Sequence, residues 1–146
     1  MTNKDFEELF ASLNARSVKA LVVGAYAVAF HAKPRYTKDI DVFVDASPEN
    51  VERLLGALSD FGFGSLGLAA GDFIPAGRGL QLGVEPNRID IITAIDGVTF
   101  DEAWNGRVAG KYGSQPVNFI GRNELIRNKR ASGRLQDLAD VDMLEP

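Results

Sequence analysis

Thr37-Lys38-Asp39-Ile40-Asp41-Val42-Phe43-Val44 sets two carboxylates two residues apart at the start of an apolar, β-branched run. Strand side chains alternate faces with a period of two, so Asp39 and Asp41 project from one side. Ile40, Val42 and Val44 then project from the other, into a core. Like charges crowded on one face repel and call for compensation. A hard divalent cation with oxygen ligands supplies it, and Mg²⁺ held by one or two carboxylates commonly shares its sphere with substrate phosphates. The stretch predicts a metal–nucleotide site built on a strand.

Upstream, Ala20-Leu21-Val22-Val23 reads as a short buried strand ending in Gly24. The segment 25–32 has the composition of a buried helix, stopped by Lys33-Pro34 because proline cannot continue it. A strand, a glycine and a helix in that order aim backbone N–H groups and the positive helix end at one spot, a ready anion site. Glycine at 24 lets a phosphate approach without a Cβ in the way. Downstream, Leu80-Gln81-Leu82-Gly83-Val84 and Arg88-Ile89-Asp90-Ile91-Ile92 read as strands joined by Glu85-Pro86-Asn87, a hairpin. Asp90, inside its own β-branched run, is costly unless paired or metal-bound. An ion pair with Arg88 or Arg35 is the plainer way to satisfy it.

The remaining segments frame this centre. Residues 3–15 carry Phe6, Leu9, Phe10 and Leu13 at helical spacing. Ser47, Pro48 and Glu49 announce a second helix, running to about Asp60. Six glycines between 62 and 79 suggest a mobile, loop-rich excursion that could cover the site. Residues 100–105 suggest a short helix with Trp104 packed inward, and 117–120 a further strand. From Asn123 the chain reads as helical to a break at Ser132-Gly133. A last helix over 134–144 places Leu135, Leu138, Val141 and Leu144 along one side. The expected fold is α/β or α+β: one domain over 1–146, with a small mixed sheet of four or five strands flanked by helices and 122–146 as a closing helical segment.

Composition narrows the function classes. With 45% hydrophobic and 25% charged residues in 146, the chain is an ordinary globular protein with room for a core. Without cysteine there is no disulfide framework, thiolate metal site or thiol nucleophile. No run of about 18 apolar residues suggests a membrane span, and the acidic, amphipathic start is unlike a signal peptide, so a cytoplasmic location is expected. A net charge of −4 argues against coating nucleic acid by bulk electrostatics. Residues 107–134 nevertheless hold seven cations against Glu124 alone, a block that suits a phosphate-bearing ligand or a solvated helix face. Lys129 and Arg134 could equally pair along a helix with Asp137 or Asp140. The lone His31 reads as a packed residue.

Gly24, then Asp39-x-Asp41, then Asp90 on a later strand, in VVGAYAVAFHAKPRYTKDIDVFV and NRIDIITAI, resembles the DNA polymerase β-like nucleotidyltransferase superfamily. Arg35-Tyr36-Thr37-Lys38-Asp39-Ile40-Asp41 looks most like the small bacterial members, the abortive-infection toxin type and the minimal nucleotidyltransferases. Residues 126–140 are similar to the lysine, arginine and aspartate helix that closes such domains. The resemblance covers about 18–143. It implies Mg²⁺ (or Mn²⁺) held by Asp39, Asp41 and Asp90, with Asp90 alternatively taking the acceptor proton. It further implies an NTP whose phosphates meet Gly24, the Ala25 amide, Lys129 and Arg35, with Thr37 tuning the acidic strand. The acceptor hydroxyl would belong to a tRNA end, a protein or a small molecule, and a cognate protein partner, as in a toxin–antitoxin pair, is expected. Ala25 stands where the family has Gly or Ser, so a hydroxyl contact to phosphate is lost while the amide remains. That departure supports the alternative of a catalytically weak binding module, an antitoxin or complex subunit.

Overall fold

The structure, a computed structural model, describes residues 3–33, 39–83 and 88–145. Helix α1 (Lys4–Ala15) starts where the Asn3 side chain accepts from the Asp5 and Phe6 amides, and it buries Phe6, Leu9, Phe10 and Leu13. It leads to strand β1 (Ala20–Val23), helix α2 (Gly24–His31) and strand β2 (Ile40–Val44). Helix α3 (Pro48–Leu58) begins as expected: Ser47 Oγ accepts from the Asn50 amide, with Pro48 in the first turn. Buried Asn50 also bonds both backbone groups of Lys19 and the carbonyl of Asp45, sewing α3 to the strands beside it. Strands β3 (Gly79–Leu82) and β4 (Ile89–Ile92), helix α4 (Phe100–Asn105), strands β5 (Val108–Tyr112) and β6 (Gln115–Phe119), and helices α5 (Arg122–Ser132) and α6 (Leu135–Leu144) complete the order.

The described strands form one mixed sheet in the order β3-β4-β2-β1-β6-β5. β2 runs antiparallel to β1 and parallel to β4. The α+β expectation holds, with six strands rather than four or five. The added strand is β5, whose Val-Ala-Gly-Lys-Tyr pattern is weak because it lies exposed at the sheet edge. β3 and β4 pair antiparallel as expected, while the Glu85-Pro86-Asn87 connection lies outside the described residues.

Three details refine or depart from the sequence reading. Residues 59–66 and 70–72 form short helical turns beside α3 and α1, and Phe73 beyond them is fully buried, so this part of the glycine-rich excursion has helical turns where a loop was expected. Trp104 packs against the core as expected but stays half-buried, stacked on Phe100 with the Arg107 guanidinium 4.0 Å from its ring centre. On α6, Leu135 and Leu138 are exposed, whereas Asp137, Asp140, Val141 and Leu144 face inward. Steps of three residues each fall about 60° short of a full turn, so four positions spaced by three wind halfway round a helix instead of sharing a face.

The C-terminal pair closes onto α2. Arg122 donates to the carbonyls of Leu144 and His31, and His31 Nε2 lies 2.6 Å from the carbonyl oxygen of Ile120. The histidine is a packed residue, as its apolar helix suggested.

Candidate active site

Sheet register assembles the acids. Asp41 pairs with Val23 on one side and with Asp90 on the other, and Asp90 pairs with Gln81 on β3. Directly registered residues share a face, so two carboxylates from strands far apart in sequence meet side by side. Asp39 lies one residue before β2. Its Oδ1 accepts from the Arg88 amide at 3.2 Å, and its Oδ2 is 3.3 Å from Arg88 Nη2. The same guanidinium reaches Asp90, with Nε 3.0 Å from Oδ1. Arg88 thus bridges two of the three acids, and the anticipated Arg88–Asp90 pair is present.

Asp41 is the least compensated. Burial, the neighbouring Asp90 carboxyl and the charge of Asp39 push its pKa up to about 6, against the pull of Arg88. Among the described residues, three carboxylates face one guanidinium, an excess of negative charge that a divalent cation would balance. The donors are all oxygens, the set such a cation prefers. Among the described residues, no three acids or histidines already converge as a cation cage. Arg88 engages Asp39 and Asp90 instead.

Gly24 stands over Asp41. Its φ is +68°, and a Cβ there would lie 2.2 Å from Asp41 Oδ2. Only glycine fits both the left-handed backbone and the close approach. α2 starts at this glycine with Val23 as its N-cap and no capping side chain, so first-turn amides, Ala25 among them, open toward the acids. Arg35 and Thr37, the other residues tied to nucleotide binding, lie outside the described residues.

A cleft of about 270 Å³ opens beside Gly24 and Asp41, bounded across the gap by Asp96, Asn128, Lys129 and Arg134. A second recess of about 340 Å³ lies along β3 and β4 and also touches Asp41, with Asp90, Leu80 and Gln81 on its walls. The cleft and the recess meet at one carboxylate. Lys129 is placed at the cleft, but its Nζ is held at 3.1 Å by both Asp137 and Asp140. Arg134, which the sequence offered as part of the basic block and as a helix-pairing partner, is an exposed cation at the rim. The signals that point to it are the left-handed Gly133 turn and an aspartate three residues later.

The sequence matches no family model and no curated protein. Solved structures do match. The lincosamide antibiotic adenylyltransferase LnuA, lincomycin-bound, superposes with a TM-score of 0.60 at 16% identity, covering 99% of this chain and 97% of that one. The antibiotic-resistance factor ANT(2″)-Ia gives 0.60 at 14% identity over 96% of this chain and 80% of that one. An antigenic nucleotidyltransferase-like protein from Paracoccidioides brasiliensis gives 0.57 at 11% identity, covering 99% and 77%. The fold is that of a nucleotidyltransferase. At these identities the likeness is one of fold, and the chemistry has to be argued from the residues. Among the described residues, no helix is long and apolar enough to cross a membrane.

Proposed function

We infer that this nucleotidyltransferase fold is catalytic, moving a nucleoside monophosphate from an NTP to a hydroxyl acceptor with a divalent cation. The observation that carries the reading is the registered pair of Asp41 and Asp90 carboxylates at the N-terminus of α2, with Asp41 packed so close to Gly24 that a Cβ there would lie 2.2 Å from its Oδ2. Asp39 and Asp41 would hold Mg²⁺ or Mn²⁺, with Asp90 as a further ligand. When bound, the cation would offset charge on the phosphates as pyrophosphate leaves.

The chain's own residues divide the remaining work. Gly24 and the α2 amides receive the phosphates in the cleft, and Arg134 at its rim adds positive charge. Arg88 orients Asp39 and Asp90 by its two-sided ion pair. Asp90, walling the second recess, would alternatively take the proton of an acceptor hydroxyl as that oxygen bonds to the α-phosphorus. A small-molecule acceptor is favoured over a tRNA end or a protein hydroxyl. The recess is about 340 Å³, and LnuA and ANT(2″)-Ia were captured with lincomycin and adenylyl-2″-tobramycin.

Incubation with each α-labelled NTP, Mg²⁺ or Mn²⁺, and separate pools of hydroxylated small molecules, tRNA and protein tests the reading. Label on one pool, lost in Asp39→Asn and Asp90→Asn proteins, is the expected result and names the acceptor class. Transfer to tRNA or protein would restore the toxin-type expectation. Nucleotide binding without transfer to any pool would instead favour the binding-module alternative that Ala25 supports.

A further inference from the structure

We propose that Asp137 is a positioning residue that aims Arg134 into the cleft, where the guanidinium meets the terminal phosphates of the nucleotide. This rests on the nucleotide reading above and deepens it. Arg134 stands just before α6, after the Gly133 turn at φ +69°, and its side chain is 80% exposed. An exposed arginine ordinarily samples many rotamers, but this one is tied at Nε by Asp137 Oδ2 at 2.8 Å. Its Nη1 and Nη2 have no partner among the described residues. The tie fixes the plane of the guanidinium and leaves its outer edge free, the geometry that recognises phosphate oxygens in pairs.

The anchor is itself held from behind. Asp137 is buried and bonds Lys129 Nζ and the Ser132 hydroxyl, while Asp140, fully buried, holds the other side of Lys129. Lys129 therefore spends its charge on two carboxylates. Among the described residues lining the cleft, Arg134 is the cation left with free donors, and it feels the charges of Asp96 and Asp41 across the gap. The aspartates of α6 thus act on the nucleotide through Arg134, and Lys129 acts by holding Asp137.

Calorimetric titration of each Mg–NTP and its nucleoside into four proteins tests this: wild type, Arg134→Ala, Asp137→Asn and the double variant. Arg134→Ala should weaken the triphosphate about ten-fold or more and leave the nucleoside unchanged, the size of loss expected for charge-assisted bonds. Asp137→Asn should weaken the triphosphate in the same selective way, and the double variant should be no weaker than Arg134→Ala alone. Losses that add, or that extend equally to the nucleoside, would show a merely structural Asp137 and overturn the proposal. If Asp137→Asn fails to fold, Arg134→Lys decides. It keeps the charge but cannot be tied at one nitrogen while presenting two others, so wild-type affinity in that variant also overturns it. A wild type that binds no triphosphate overturns the nucleotide reading together with this inference, whereas unchanged binding in Arg134→Ala defeats the inference alone.

Discussion

Asp41→Asn should make the cation-free protein more stable at neutral pH, although it removes a residue placed at the centre of the site. In the folded chain Asp41 titrates at about 6 instead of 3.8, so the folded state holds the proton more tightly than the unfolded one. The penalty for ionising it is absent below 3.8, grows between 3.8 and about 6, and is complete above that. Its full size is about 3 kcal/mol at 1.36 kcal/mol per pH unit. Asparagine keeps the shape, removes the charge and can donate to Asp90, so it should recover about 2–3 kcal/mol, equivalent to roughly 4–12 °C in Tm. Thermal melts of both proteins in chelator, from pH 3.5 to pH 8, measure the gap. It should be near zero at the acid end, open through pH 4–6 and plateau by about pH 7. A variant less stable than wild type at pH 7.5, or a gap independent of pH, refutes the argument that crowded carboxylates are the strain at this site. Mg²⁺ with an NTP should reverse the order by stabilising the wild type alone.

Gly24→Ala should cost about 1–2 kcal/mol from the left-handed backbone alone. It should also abolish nucleotide binding, because its Cβ would collide with Asp41 Oδ2; nucleotide titration of the folded variant checks this, and wild-type affinity would remove Gly24 from the site. Lys129→Met strands the buried carboxylates of Asp137 and Asp140 and should cost about 3–5 kcal/mol in urea unfolding. A loss below about 1 kcal/mol would mean the pair is solvated. Because Ser132, Arg134 and Lys129 overcome burial to hold the Asp137 carboxyl at about 2, its share of stability should persist down to about pH 4 and be lost progressively toward pH 2. A wild-type acid limb unchanged by Arg134→Ala together with Ser132→Ala would contradict that assignment.

Much of the centre was legible because local rules govern it. Alternation in residues 39–44, the strand–glycine–helix run at 20–31 and the Ser47-Pro48 helix start depend on neighbours in sequence, and each has its expected element. β5 escaped notice because an exposed edge strand has little burial pattern to display. The face of α6 was misread because positions spaced by three wind round a helix, and the pairing of Lys129 with Asp137 and Asp140 that the sequence offered turns out to be buried.

By itself, then, the sequence determined which residue types stand where: three aspartates in β-branched settings, a glycine at a strand end, and a basic block before an acidic tail. Only the tertiary structure decided which of them meet. Parallel pairing of β2 with β4 brings Asp90 beside Asp41 across nearly fifty residues of chain, and the α5–α6 turn commits Lys129 to buried carboxylates while leaving Arg134 exposed at the rim. Charge and hydrophobic periodicity are properties of a segment. Register and burial, which set a carboxylate's proton affinity and a cation's availability, arise only when distant segments pack.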